Sequence, residues 1–132
     1  MVSYELVKWL SADAVLITML ATEVALHPGQ LPENAKFPCL VLENERGGER
    51  KKNYGGLSNA RTATRITLKV WAQNVGVLEK IVQHLILKMN GYTGLIEAVP
   101  RATILASVIA RAPDTKRNLE HAIIDLNITN RS

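Results

Sequence analysis

The sequence predicts an α+β fold, in which two main helices pack on one face of an antiparallel sheet of about four strands and a long β-hairpin arm extends from the sheet. Residues 61–72 alternate with a period of two, as a strand with one buried face does. Residues 74–89 carry an apolar stripe at helical spacing, and residues 44–60 are almost without apolar side chains. Strands paired in hairpins on either side of a central helix favour an antiparallel sheet covered on one face.

The length and composition indicate one globular domain over residues 1–132. A chain of 132 residues can bury one hydrophobic core but is too short for two, and 47% apolar with 21% charged residues is typical of globular proteins. Sixteen Lys and Arg against twelve Asp and Glu give a net charge of +4, a weaker bias than dedicated nucleic-acid binders carry. The single cysteine, Cys39, excludes an internal disulfide and a cysteine-rich zinc site, and its apolar neighbours predict a buried, unreactive thiol.

The first element is a predicted helix over residues 3–20. Ser3 can cap this helix, and apolar residues then recur on one face at helical spacing. Ser11 and Asp13 offer a second start signal within the same segment. A break or kink is therefore expected near Ser11.

A loop, a strand and the arm follow. Prolines, glycine and polar residues over 27–34 predict the loop, and the apolar residues of 37–43 predict a strand that is buried on both faces. The arm, residues 44–60, has two glycine pairs and too little apolar surface to order itself, which predicts a long mobile hairpin. Two interpretations stay open: a solvated loop of mixed charge, or a segment that orders against a partner. The cationic residues of the arm are Arg46, Arg50, Lys51 and Lys52.

The strand over 61–72 places a row of polar residues on its outer face. Arg61, Arg65 and Lys69 extend positive charge along this face, and Trp71 ends the row. Proteins that read nucleic acids on an open sheet stack the bases on several aromatic side chains. One Phe, three Tyr and two Trp in the whole chain do not supply such a platform. We therefore expect this face to be solvated or covered by another subunit.

The helix over 74–89 has the clearest pattern in the chain. Gly91 ends this helix, and Leu87 lies on its polar side with no role inside the domain. The buried stripe is predicted to consist of Leu78, Ile81, Val82, Leu85, Ile86 and Met89. The last third of the chain predicts, in order, a strand, a turn and a strand: 102–111, 112–118 and 120–129.

The sequence contains no arrangement typical of an active site. His27, His84 and His121 lack partners at metal-ligand spacing, so each is predicted to be solvated or structural. The chain has no Gly-x-Ser-x-Gly motif, and the glycine pairs of the arm do not form a P-loop. We therefore predict no catalytic residues, no cofactor, no metal and no enzymatic activity. No signal peptide or membrane-spanning segment is expected, because charged residues interrupt the apolar stretches.

Several segments occur in an order that resembles a known family. These segments are the opening helix ending over 12–16, the loop His27-Pro28-Gly29 before Phe37-Pro38, the strand ending in Trp71-Ala72, the helix closing over 89–92, and the late strand pair. Together they resemble the minor tail proteins of bacteriophages and prophages that form the tail-completion or tail-terminator family. Residues 93–100 are longer than the turn of that family, which leaves the register of the last strands open.

The resemblance implies an α+β subunit that forms a closed ring of six copies on the end of the tail tube, stops its growth and presents a joining surface to the head. The implied partners are further copies of the chain, the tail tube protein and the head–tail connector protein. DNA is implied at most through non-specific contacts in the lumen of the ring, and no membrane is implied. The implied location is the bacterial host cytoplasm during assembly and then the virion tail.

The main alternative is a small basic nucleic-acid-binding module, which would act through the positive residues of the arm. Both readings use surface residues rather than a catalytic cleft. The residues predicted to form a partner or oligomer interface are Arg46, Arg50, Lys51, Lys52, Tyr54, Arg61, Arg65, Lys69 and Leu87.

Overall fold

The computed structural model describes residues 2–20, 26–28, 36–51, 61–96, 99–115 and 118–131. Within these ranges the chain forms three helices and six strands. In chain order they are α1 (Val2–Ser11), α2 (Ala14–Met19), β1 (Leu26–Pro28), β2 (Cys39–Lys51), β3 (Arg61–Ala72), α3 (Val75–Met89), β4 (Thr93–Ile96), β5 (Val99–Asp114) and β6 (Leu119–Arg131).

The six described strands form one sheet in the order β1-β2-β3-β6-β5-β4. Neighbouring strands are antiparallel, except that β1 runs parallel to β2. The prediction of about four strands was therefore too low. The two strands that it missed, β1 and β4, have three and four residues, which is too short for an alternating pattern to be recognised.

The predicted opening helix is two helices. α1 ends at Ser11, as the expected break requires, and α2 begins at Ala14. Asp13 caps α2, because its Oδ1 accepts hydrogen bonds from the backbone nitrogens of Val15 and Leu16 at 3.1 and 3.2 Å. The described part of the chain thus has three helices rather than two main ones.

The core lies between one face of the sheet and the helices. α3 packs on β3, β5 and β6, and α1 packs against β1 and β2 at one edge and against β4 at the other, so the sheet is curled. The alternation predicted for β3 is confirmed from Thr64 to Val70, and Cys39 is buried as expected. Ile86 is the one member of the predicted α3 stripe that is only partly buried. The fully or nearly fully buried residues of α3 are Leu78, Ile81, Val82, Leu85 and Met89.

Part of the predicted arm is regular strand. The sequence predicts that the strand before the arm ends at Glu43, but β2 continues to Lys51 and pairs with β3, with Lys51 opposite Arg61. Register irregularities lie between Glu43 and Arg46 and between Gly47 and Glu49. This antiparallel pairing is the hairpin that the sequence predicts for the arm, whereas the predicted end of the preceding strand at Glu43 is wrong because backbone pairing with β3 needs no apolar side chains. Residues 52–60 lie outside the described residues.

The last hairpin is longer than its two predicted strands. β5 and β6 pair as far as Asp114 opposite Leu119, so the predicted turn over 112–118 shrinks to four residues. The register that the sequence left open is fixed by pairs such as Ile104 with Ile128 and by an irregularity between Val108 and Ala110. Residues 93–96, part of the segment that is too long for a turn, form β4.

The burial of α3 can be tested with two residues of the same helix. Ile81 is fully buried, so Ile81→Asp places an unpaired carboxylate in the core and should unfold the domain or remove more than about 3 kcal/mol of its free energy of unfolding. Leu87 is 85% exposed, so the Leu87→Asp control should change that free energy by less than about 0.5 kcal/mol. Urea denaturation followed by circular dichroism measures both changes. Equal losses in the two variants would contradict the orientation of α3.

Candidate interaction surfaces

The outer face of the sheet, opposite the helices, carries two cross-strand ion pairs. Arg65 on β3 donates from Nη2 to Asp125 Oδ2 at 2.8 Å, and Lys69 Nζ lies 2.6 Å from Glu43 Oε1. Two of the predicted interface cations are thus partnered within the sheet. The Arg65 side chain is still 66% exposed, and exposed pairs of this kind contribute about 0–1 kcal/mol, so Arg65 can exchange its partner at little cost.

Trp71 departs from the predicted polar row. It is only 7% exposed, and its ring stacks on His121 of β6 with centroids 6.0 Å apart and an interplanar angle of 22°. Trp71 Nε1 and His121 Nδ1 are buried and have no hydrogen-bond partner within the described structure. Tertiary packing rather than solvent therefore surrounds this end of the outer face.

The predicted cations of the arm and of β3 meet at one end of the sheet. The backbone register places Arg46 opposite Arg65 and Lys51 opposite Arg61. Arg131 of β6, which the sequence analysis missed, lies opposite Arg61. No local sequence pattern could have identified Arg131, because only the pairing of β6 with β3 places it beside Arg61. The predicted residues Lys52 and Tyr54 lie outside the described residues.

Exposed apolar side chains lie on two sides of the molecule. Leu87 is the most exposed, at 85%, and it projects from α3 away from the sheet, as predicted. Leu105 on β5 is 58% exposed and lies on the outer face, opposite Asn127. The other exposed large apolar residues among those described are Tyr4, Val15, Val75, Leu95 and Ile109.

A polar cluster joins the helices on the covered side of the sheet. His84 of α3 donates from Nε2 to Asp13 Oδ2 at 2.7 Å, and Lys88 Nζ lies 3.5 Å from the same oxygen. Lys88 Nζ also lies 4.4 Å from the centre of the Trp9 ring, which contacts Tyr92. His84 is therefore structural, which is one of the two roles predicted for it.

The electrostatics of this cluster favour an ionised Asp13. Burial of the carboxyl group opposes its ionisation. The hydrogen bonds from His84 and from the backbone of Leu16, together with the nearby charge of Lys88, outweigh that cost and lower the pKa of Asp13. The cluster thus ties the start of α2 to α3 through a charged group.

The described residues show no sign of a metal centre or a membrane span. No group of three or more His, Cys, Asp or Glu among them is placed to hold a metal ion. None of the helices found in those residues has the length and apolar character needed to cross a bilayer.

Comparison with known proteins identifies a class. A family model described as Tail completion protein gp17 matches residues 4–129. A solved chain from the "Virion of native gene transfer agent (GTA) particle" is similar in fold, with a TM-score of 0.70, 11% sequence identity, and coverage of 98% of this chain and 94% of that chain. At this identity the similarity concerns the fold alone. No curated protein matches the chain in sequence.

The class is that of structural subunits of phage-like virion tails. The chain belongs to the tail completion protein gp17 family, because the family model covers nearly its whole length. The resemblance seen in the sequence is confirmed. The chain is accordingly a virion tail component with a structural role in tail completion.

The charged joint at Asp13 can be tested by its pH dependence. Asp13→Ala should lower the free energy of unfolding by about 0.5–2 kcal/mol through loss of the cap, and Asp13→Asn, which keeps a capping oxygen, should lose less. Because the pKa of Asp13 is lowered in the folded protein, its contribution is full above about pH 3.9, the ordinary pKa of Asp, and is lost as the pH falls through the folded-state pKa.

Thermal unfolding at pH 6 and pH 3 provides the measurement. The unaltered protein should lose more stability on acidification than Asp13→Asn does. Asp125→Asn, at an exposed surface pair, is the matched control and should behave like the unaltered protein. Identical acid sensitivity of the unaltered protein and Asp13→Asn would show that this joint does not stabilise the fold.

Proposed function

We propose that the chain is a non-catalytic subunit of a closed ring of six copies, which caps the end of the tail tube and provides the surface at which the head is joined. Its membership of the tail completion family supports the structural role, and the ring and its capping action extend it. The proposed partners are further copies of the chain, the tail tube protein and the head–tail connector protein. Assembly takes place in the bacterial host cytoplasm, before the subunit becomes part of the tail.

The observation that carries this proposal is the placement of exposed apolar residues on two unlike surfaces. Leu87 projects from the helical side, and Leu105 and Ile109 lie on β5 at the other side of the sheet. A ring built from identical subunits by rotation needs two different, complementary patches on each subunit. A symmetric dimer needs only one patch. The two surfaces therefore favour head-to-tail association.

The remaining predicted interface residues belong to the docking side of this proposal. Arg46 and Arg50 lie on the part of β2 that follows Glu43 and are proposed to meet the tube or the connector, and Lys51 follows them at the end of the strand. Arg65 and Lys69 contribute less, because both already pair with carboxylates of the sheet. DNA contact is confined in this proposal to non-specific contacts in the lumen.

The alternative of a nucleic-acid-binding module as the main function gains little from the outer face. Trp71 is buried there and offers no stacking surface. Arg65 and Lys69 are neutralised by Asp125 and Glu43. The backbone register brings further cationic residues together at one end of the sheet, where they are compatible with a structural role.

A mixing experiment tests head-to-tail association. Leu87 and Leu105 are both exposed, so Leu87→Asp and Leu105→Asp should each fold. Each change removes one of the two apolar patches, so each variant alone should remain monomeric. When mixed, each variant supplies the patch that the other lacks, so one interface forms and a dimer appears. Analytical ultracentrifugation measures the masses, and Thr115→Asp, exposed in the β5–β6 turn, is the control that should still assemble.

The outcome separates three cases. A ring for the unaltered protein, monomers for each variant and dimers for the mixture support the proposal. Normal assembly of both variants contradicts the two-surface interface. Where the unaltered protein assembles only on the tail tube, the same comparison is made with tubes present, and a failure to assemble there also contradicts the proposal.

Shortening the arm tests its docking role. Deletion of residues 47–56 removes the outer end of β2 but leaves the buried pairs of Leu40 with Val70 and of Leu42 with Leu68. The shortened protein should unfold within a few degrees of the unaltered melting temperature and fail to cap purified tail tubes. A large drop in melting temperature would show instead that the arm belongs to the core.

A further inference from the structure

Four neighbouring strands carry a cationic residue at the same register position, at one end of the sheet. Lys51 of β2 lies opposite Arg61 of β3, and Arg61 lies opposite Arg131 of β6. Arg101 of β5 lies one position beyond a residue paired with β6, and so falls beside Arg131. With strands about 4.8 Å apart, these four residues, here named the cation row, extend across about 14 Å.

Two further register positions lie inward of the cation row on the same four strands. Because side chains alternate along a strand, the next position (Arg50, Thr62, Asn130 and Ala102) belongs to the opposite face of the sheet. The position after it (Glu49, Ala63, Thr129 and Thr103) belongs to the same face as the row. Across the three positions there are five cationic residues and one carboxylate, an excess of +4, which equals the net charge of the whole chain. Charges elsewhere in the sequence therefore balance, and the positive excess is concentrated at this end.

The row costs the isolated subunit stability. Like charges directly opposite each other on neighbouring strands are destabilising, and the backbone register gives the row two such pairs, Lys51 with Arg61 and Arg61 with Arg131. When an anion is bound across the strands, the same cationic residues stabilise the complex instead of destabilising the subunit. The arrangement thus points to an extended anionic partner rather than to a role within the domain.

The composition around the row favours a phosphate backbone over a protein surface. The core of a protein interface needs large apolar or aromatic anchors, and the three register positions contain only two alanines as apolar residues. Contacts to DNA phosphates come from Arg and Lys together with polar residues such as Thr, and Thr103 and Thr129 belong to the same face as the row. No aromatic residue or base-reading pattern accompanies them, so such contacts would be independent of sequence.

We infer that the cation row, Lys51, Arg61, Arg101 and Arg131, binds the phosphate backbone of double-stranded DNA without sequence preference. This inference deepens the proposed function by naming the residues that contact DNA in the lumen of the ring. It rests on the proposed function only in taking the DNA to be the molecule that passes through the ring. The binding itself is a property of the single subunit. It can therefore be measured apart from ring formation.

The experiment compares two triple variants with the same change in charge. Arg61→Gln, Arg101→Gln and Arg131→Gln remove most of the row. Lys8→Gln, Lys36→Gln and Lys80→Gln remove exposed cations elsewhere and form the control. Fluorescence anisotropy with a labelled 30-base-pair duplex of random sequence measures affinity between 50 and 200 mM salt.

The unaltered protein should lose roughly a hundredfold in affinity over this salt range if about four phosphates are contacted. The row variant should lower the slope of log affinity against log salt by about 2 to 3, whereas the control should leave the slope unchanged. The melting temperature of the row variant should be equal to or above that of the unaltered protein, because like-charge pairs are removed.

Three results would overturn the inference. The first is no DNA binding by the unaltered protein at 50 mM salt, and the second is an equal loss of DNA affinity in the two variants. The third is unchanged DNA binding by a row variant that no longer caps tubes, which would assign the row to contact with an acidic protein. A protein that stays monomeric under all conditions, yet shows the row-dependent slope, would contradict the ring and leave this inference standing.

Discussion

Burial of one face of the β3–β6 pair against α3 is the constraint on which the rest of the structure depends. Ile66, Leu68 and Val70 on β3 lie opposite Leu126, Ile124 and Ala122 on β6, and all six are buried. Because side chains alternate along a strand, fixing this face also fixes the outer one. The same register then decides which polar residues of β2, β5 and β6 become neighbours. Surface chemistry in this protein is therefore a consequence of core packing.

This dependence explains how a domain without an identified catalytic arrangement can serve as an assembly subunit. On the covered side, the apolar stripe of α3 packs on the sheet, and the charged contact of Asp13 with His84 and Lys88 joins the start of α2 to α3. These contacts give the helices a defined position. The outer side and the outward side of α3 leave apolar residues exposed, and one end of the sheet concentrates positive charge. Unlike surfaces on one subunit meet the geometric requirement of the proposed ring, in which identical subunits associate head to tail.

The sequence predicted what is local and missed what depends on distant partners. The bounds of β3 were predicted correctly, and those of α3 to within one residue. The alternation of a strand and the apolar stripe of a capped helix are both contained in the local sequence. The continuation of β2 past Glu43 to Lys51 was missed because it depends on pairing with β3 and not on the composition of residues 44–51. The contact of Asp13 with His84 joins residues 71 apart, and Arg131 becomes a neighbour of Arg61 only through strand register. The burial of Trp71 likewise follows from tertiary packing.

In the proposed function, the chain acts by forming a ring with further copies of itself at the end of the tail tube. Electron microscopy of the purified protein mixed with tail tubes tests this claim most directly. The account predicts annular particles of uniform diameter in solution or at tube ends, with a central opening. Tubes with bare ends, beside single subunits that never associate, would contradict it.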